Sequence, residues 1–98
     1  MIQHLVMLTF KPETDQDHID ELERRLGILP AVVPEIRQYD FGRDILCSER
    51  SFDFGLVSAF EDLEALQRYQ KHPRHQEVLQ LIGRICDSVH VVDFELRR

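Results

Sequence analysis

From Ile2 to Phe10 apolar residues run almost unbroken, with His4 and Thr9 among the interruptions, and a run of this length reads as a β-strand. In a pleat of period two, Ile2, His4, Val6, Leu8 and Phe10 share one face, while Leu5 and Met7 share the other. Both faces of this strand therefore call for cover. Thr14-Asp15-Gln16-Asp17 resembles a capping box. It opens a helix with Ile19, Leu22, Leu26 and Leu29 on one stripe, and Gly27 and Pro30 are expected to end it. Ile36–Arg43 predicts a second strand, with Tyr39 and Phe41 on one face. Residues 43–51 are polar and read as a mobile hairpin loop. Residues 52–60 predict a third strand, with Phe52, Phe54, Leu56, Ser58 and Phe60 on one side and Gly55, Val57 and Ala59 on the other.

Asp62 is a candidate N-cap for a helix presenting Leu63, Leu66 and Tyr69 inward. His72-Pro73 breaks that helix. The next one carries Val78, Leu79, Ile82 and Ile85, and residues 89–96 form a last strand, apolar on both faces. The order β-α-β-β-α-β with right-handed crossovers predicts a ferredoxin-like α+β fold: an antiparallel sheet, strands ordered 4-1-3-2, with helices on one face. The other face is apolar too. Its expected cover is a second copy of the chain, giving a homodimer.

The 98 residues make one domain, 1–98, and a net charge of −6 argues against a nucleic-acid partner, which requires a basic face. Arg50-Ser51-Phe52-Asp53-Phe54 echoes the third strand of an RNA-recognition module, yet Ser51 replaces the glycine and Asp53 adds an acid. Apolar stretches are too short to cross a bilayer, and the first residues carry no secretion signal. Two cysteines, Cys47 and Cys86, are too few for a disulfide scaffold. The expected location is the cytoplasm, without a membrane partner.

Tyr69-Gln70-Lys71-His72-Pro73-Arg74-His75 concentrates one phenol and two imidazoles around the helix break. A phenol beside an imidazole makes a workable general acid/base pair; the plainer alternative is a core aromatic followed by helix-end histidines. His72 and His75 have i, i+3 spacing, but two imidazoles with no acid or thiol nearby in sequence make a weak metal site, and neither metal nor cofactor is expected. His4 interrupts an apolar strand. In a 4-1-3-2 sheet it lies near Asp93, itself a carboxylate within Val91-Val92-Asp93-Phe94, and an acid beside an imidazole fixes its tautomer.

Over essentially its whole length the sequence resembles the stress-responsive A/B barrel (Dabb) family. The resemblance is carried by His4-Leu5-Val6, Lys11-Pro12, Leu29-Pro30 through Val33-Pro34, and Gly42-Arg43-Asp44. Further along it rests on Phe60-Glu61-Asp62-Leu63-Glu64-Ala65-Leu66, Tyr69 with His72-Pro73-Arg74-His75, and Val91-Val92-Asp93-Phe94. It implies a dimeric α+β barrel closed by two ferredoxin-like sheets around an apolar interior. A plant branch of the family cyclises polyketide thioesters, and its site residues match His4, Tyr69, His75 and Asp93. By that resemblance His75 would be general base oriented by Asp93, Tyr69 would polarise a carbonyl, and His4 would help position it. Val6, Leu8, Phe52 and Phe54 are the expected lining of a small-molecule cavity.

The expected function is a stress-associated homodimeric barrel with an apolar cavity and no fixed activity. The alternative is an enzyme using the Tyr/His pair on a polyketide-like or other small carbonyl substrate. Haem-degrading and quinol-oxidising monooxygenases share the barrel, but no dedicated haem-ligand motif is present.

Overall fold

The computed structural model describes residues 1–97, so the last residue of the expected 1–98 domain lies outside the described part. Elements follow as β1 (Ile2–Phe10), α1 (Gln16–Val32), β2 (Ile36–Arg43), β3 (Phe54–Phe60), α2 (Leu63–Lys71), α3 (Pro73–Ile85) and β4 (Cys86–Glu95). The four strands form one sheet in the order β2-β3-β1-β4, antiparallel at every pairing. This is the ferredoxin-like α+β arrangement, with the second helical segment divided in two at His72-Pro73.

Register assigns the faces. His4 pairs with Ser58 on one side and Asp93 on the other, and Val6 with Leu56 and Val91. Cross-strand partners share a face, so these residues lie beneath the helices. Val6, Leu8, Phe54, Leu56 and Phe60 there meet Leu22, Leu26 and Leu29 of α1, Leu66 and Tyr69 of α2, and Val78, Leu81 and Ile85 of α3 in one buried core. Leu5, Met7, Val57, Val92 and Phe94 lie on the opposite face, where no helix or strand among the described residues covers them.

Four boundaries differ from the sequence reading. Helix α1 runs through Gly27 and Pro30 to Val32. An interior proline disfavours a helix by about 3 kcal/mol, but Leu29 and Val33, both 0% exposed, each return about 1.5–3 kcal/mol by burial. The N-cap of α1 is Asp15, whose carboxylate accepts from the His18 N–H, while the Thr14 hydroxyl donates to the Ile85 carbonyl at 2.8 Å. Strand β3 starts at Phe54; Asp53, a bend before it, still donates its N–H to the Leu8 carbonyl at 2.8 Å and accepts from the Asp44 N–H at 2.9 Å, while its carboxylate accepts the Phe10 N–H at 2.8 Å. Strand β4 begins at Cys86, which is also the C-cap of α3, so helix passes directly into strand.

Two inward assignments also change. Leu63 is 57% exposed in the first turn of α2, where Ala65, Leu66 and Tyr69 take the buried stripe. Leu79 is partly exposed, and its expected place in the core belongs to Leu81.

Candidate active site

Between the sheet and the helices lies a cavity of about 310 Å³. Val6, Leu56, Val89 and Val91 rise from the sheet and Leu26, Val78 and Ile82 descend from α1 and α3, making most of its wall apolar. At one end the polar groups gather: His4, Tyr69, Gln70, His75 and Gln76. A mostly apolar concavity with a few convergent polar groups is the usual form of a small-molecule site.

His4 is 5% exposed. Its Nδ1–H donates to the Asp93 carboxylate across the β1–β4 pair, which leaves Nε2 as the uncommitted ring nitrogen. Its ring meets Phe60 and Tyr69 edge-on, with centroids 6.4 and 6.2 Å away. Tyr69 is 1% exposed, wedged between Phe60 at 4.8 Å and His75 at 4.2 Å between ring centroids. Its hydroxyl pairs with that of Tyr39 at 2.9 Å. Burial pushes the Tyr69 phenol up to about 12, with the hydrogen bond to Tyr39 pulling the other way, and the Tyr39 phenol is raised by its own burial and by the neighbouring Tyr69. Both phenols therefore hold their protons at neutral pH.

His75 Nδ1 lies 3.2 Å from the Gln70 carbonyl oxygen. A carbonyl only accepts, so Nδ1 carries the proton and Nε2 keeps its lone pair. Burial lowers the His75 pKa from the ordinary histidine value, which keeps the ring neutral and the lone pair available.

The structure thus brings His4, Tyr69 and His75 together at the cavity, with Asp93 behind His4 and outside the lining, and with one reassignment of partners. Asp93 holds His4; the Gln70 carbonyl holds His75. Among the expected lining residues Val6 stands in the wall, whereas Leu8 and Phe54, each 2% exposed, are packed within the core away from it. Phe52 is turned to the opposite face by the bend at Asp53, and its ring lies 5.2 Å from that of His90. The wall comes instead from Leu56 on the same face of β3 and from Val89 and Val91 on β4. Strand alternation exposes the β4 pair once its register against β1 is known. Tyr39, absent from the expected site, is visible in sequence only as the inward partner of Phe41.

The two histidines around the break are not joined. His72 is the N-cap of α3, its Nδ1 accepting the Arg74 N–H at 3.1 Å. Among the described residues no group of three or more histidine, cysteine or acidic side chains is placed to hold a metal. No helix among them is long and apolar enough to cross a membrane.

A family model described as the stress responsive A/B barrel domain matches residues 2–96. The chain belongs to that family. It is 30% identical to an uncharacterized protein of Streptomyces coelicolor over 97% of this chain and 99% of the relative. It is 22% identical to the olivetolic acid cyclase of Cannabis sativa over 99% of this chain and 98% of the cyclase. A solved structure of a dimeric ferredoxin-like protein of unknown function from Thermobifida fusca superposes with a TM-score of 0.89 at 27% identity, covering 97% of this chain and 90% of that one. The stress responsive A/B barrel fold is thus accompanied here by a formed polar end in an apolar cavity.

Proposed function

We propose that the protein is a homodimeric barrel that binds one small, mostly apolar molecule in the 310 Å³ cavity through a carbonyl oxygen on that molecule. The observation that carries this reading is the buried Tyr69 hydroxyl at the polar end of an apolar wall. A neutral phenol donates to a carbonyl, and the surrounding valines and leucines reward the rest of the ligand by burial. Among the described residues no lysine or arginine lines the wall, which favours a neutral ligand over a phosphate or a carboxylate. The dimer is supported by the uncovered apolar sheet face and by the relative from Thermobifida fusca described as dimeric. Cytoplasmic residence accords with the two unpaired thiols, Cys47 and Cys86.

The test is native mass spectrometry of freshly purified protein beside Tyr69→Phe, followed by calorimetric titration with butyrophenone and with butylbenzene, its counterpart lacking the carbonyl. Wild type is expected to be a dimer that prefers the ketone, and Tyr69→Phe to lose that preference. Equal affinity for the two compounds, or a monomer, overturns the reading.

A second reading, enzymatic, is favoured by the His75 tautomer. With Nε2 unprotonated beside Tyr69, His75 can take a proton from the carbon next to the bound carbonyl. The C–H bond breaks, an N–H bond forms at Nε2, and the electron pair moves onto the carbonyl oxygen, where the Tyr69 hydroxyl stabilises it. The carbanion equivalent so formed can attack a second carbonyl of the same molecule, as the cyclase relative's name suggests, or be reprotonated from His75. Exchange of the α-hydrogens of butyrophenone with deuterated water tests this step. Exchange lost in His75→Ala supports it, and equal exchange in both proteins removes it.

A further inference from the structure

The hydroxyls of Tyr39 and Tyr69 lie 2.9 Å apart, and only one of the two residues lines the cavity. Tyr69 does; Tyr39 stands behind it on β2, opposite Ser58 of β3. Either hydroxyl can be the donor of this pair, and the surroundings choose between them. If Tyr69 donated to Tyr39, its proton would point away from the cavity, and a carbonyl ligand would meet a phenol oxygen with nothing to give. If Tyr39 donates, the Tyr69 oxygen is satisfied by one proton from behind, and its own proton turns toward the cavity. Only the second arrangement leaves each hydroxyl both paired and useful when a carbonyl is bound.

We infer that Tyr39 is a positioning residue for Tyr69: it donates its phenol proton to the Tyr69 oxygen and thereby aims the Tyr69 proton at the ligand. The relay Tyr39→Tyr69→carbonyl strengthens the bond to the ligand, because a hydroxyl that accepts a hydrogen bond becomes a better donor. It also spreads over two phenols any negative charge that builds as the Tyr69 proton is shared. Rigidity is provided by neighbours. The Tyr39 ring packs edge-on against Phe41, with centroids 6.3 Å apart, and Tyr69 is held between Phe60 and His75.

The chain contains two tyrosines and no tryptophan, so the ultraviolet signature of tyrosinate reports this pair alone. Replacing both tyrosines biosynthetically by difluorotyrosine brings their ionisation into a pH range in which the fold is intact. In Tyr39→Phe the remaining phenol, at position 69, is expected to ionise roughly half to one pH unit above the first step of wild type. The first step in wild type belongs to the pair, stabilised by the donated proton. A midpoint equal to or below that first step overturns the inference. A merely structural role for Tyr39 would lower thermal stability without moving this midpoint.

A second arm rests on the carbonyl-binding reading. The infrared stretch of the butyrophenone carbonyl, lowered on binding to wild type, is expected to return part-way toward its value in hydrocarbon solvent in Tyr39→Phe and fully in Tyr69→Phe. No difference between wild type and Tyr39→Phe overturns the relay. Failure of wild type to bind the ketone overturns the ligand reading instead, and the phenol titration then decides the relay by itself.

Discussion

The carbonyl oxygen of Gln70 accepts from the ring of His75 at 3.2 Å, and it is free to do so because the helix breaks at Pro73. In an unbroken helix that oxygen would take the N–H of the residue four places on, Arg74. Here the Arg74 N–H is bonded to His72 Nδ1, and the vacated carbonyl is shared between His75 and the Gln76 side chain, the latter at 2.6 Å. A backbone interruption thus decides which nitrogen of His75 carries the proton.

That assignment has a titration attached to it. His75 is expected to protonate below the ordinary histidine value of 6.5, because burial penalises the charged ring. Above pH 6.5 both folded and unfolded chains hold it neutral. As pH falls from there toward the lower folded value, the unfolded state takes up the proton first, so His75 subtracts stability across that window. Nitrogen-15 NMR of His75 should show a proton on Nδ1 and a midpoint under 6.5; a midpoint at or above that value, or a proton on Nε2 alone, contradicts the geometry.

Asp93 holds His4 rather than His75. Asp93→Ala is expected to lower stability by about 1–2 kcal/mol in urea unfolding, near the low end for a charge-assisted bond because the carboxylate is about a third exposed. Asp93→Asn should lose less, since the amide oxygen still accepts from His4. The His75 midpoint should be nearly unchanged in both variants. A His75 midpoint that follows the Asp93 substitutions would instead couple those two residues directly.

Val92 lies on the uncovered face, 45% exposed in the single chain. Val92→Asp is expected to weaken a dimer formed through this face about tenfold or more, roughly 1.4 kcal/mol, because pairing of the two faces would bury the new charge. Sedimentation velocity across a concentration series reads this directly, and an unchanged association constant would place the dimer contact elsewhere.

Val91, the neighbouring residue, lines the cavity. Val91→Phe is expected to fill much of the space and reduce butyrophenone affinity at least about tenfold, with little effect on association. Equal losses of ligand and dimer in this variant would mean that the two faces are not independent.

Most of the architecture was legible because alternation and helical stripes are long-range averages that single residues do not upset. The strand order, both faces of β1 and the break at His72-Pro73 follow from such patterns. What escaped depended on contacts that no local pattern records. The reach of α1 past Pro30 is set by burial of Leu29 and Val33 against the rest of the core. The side taken by Phe52 goes with the bend at Asp53, which is held by bonds to Leu8, Phe10 and Asp44. The site shows the same division. His4 beside Asp93 follows from sheet order alone, but the partner of His75 required the path of the backbone through the break, and the partner of Tyr69 came from a strand thirty residues earlier.

Along β4, Val89 and Val91 look into the cavity while Val92 and Phe94 look out from the opposite face of the sheet. Sequence drift at the first pair reshapes the cavity wall without touching the outer face of the sheet, and drift at the second does the reverse. Insertion of one residue in this strand is the change that neither set tolerates, since it would exchange their tasks at once. The cavity wall and the outer face can therefore change on separate schedules, provided the length of this strand is kept.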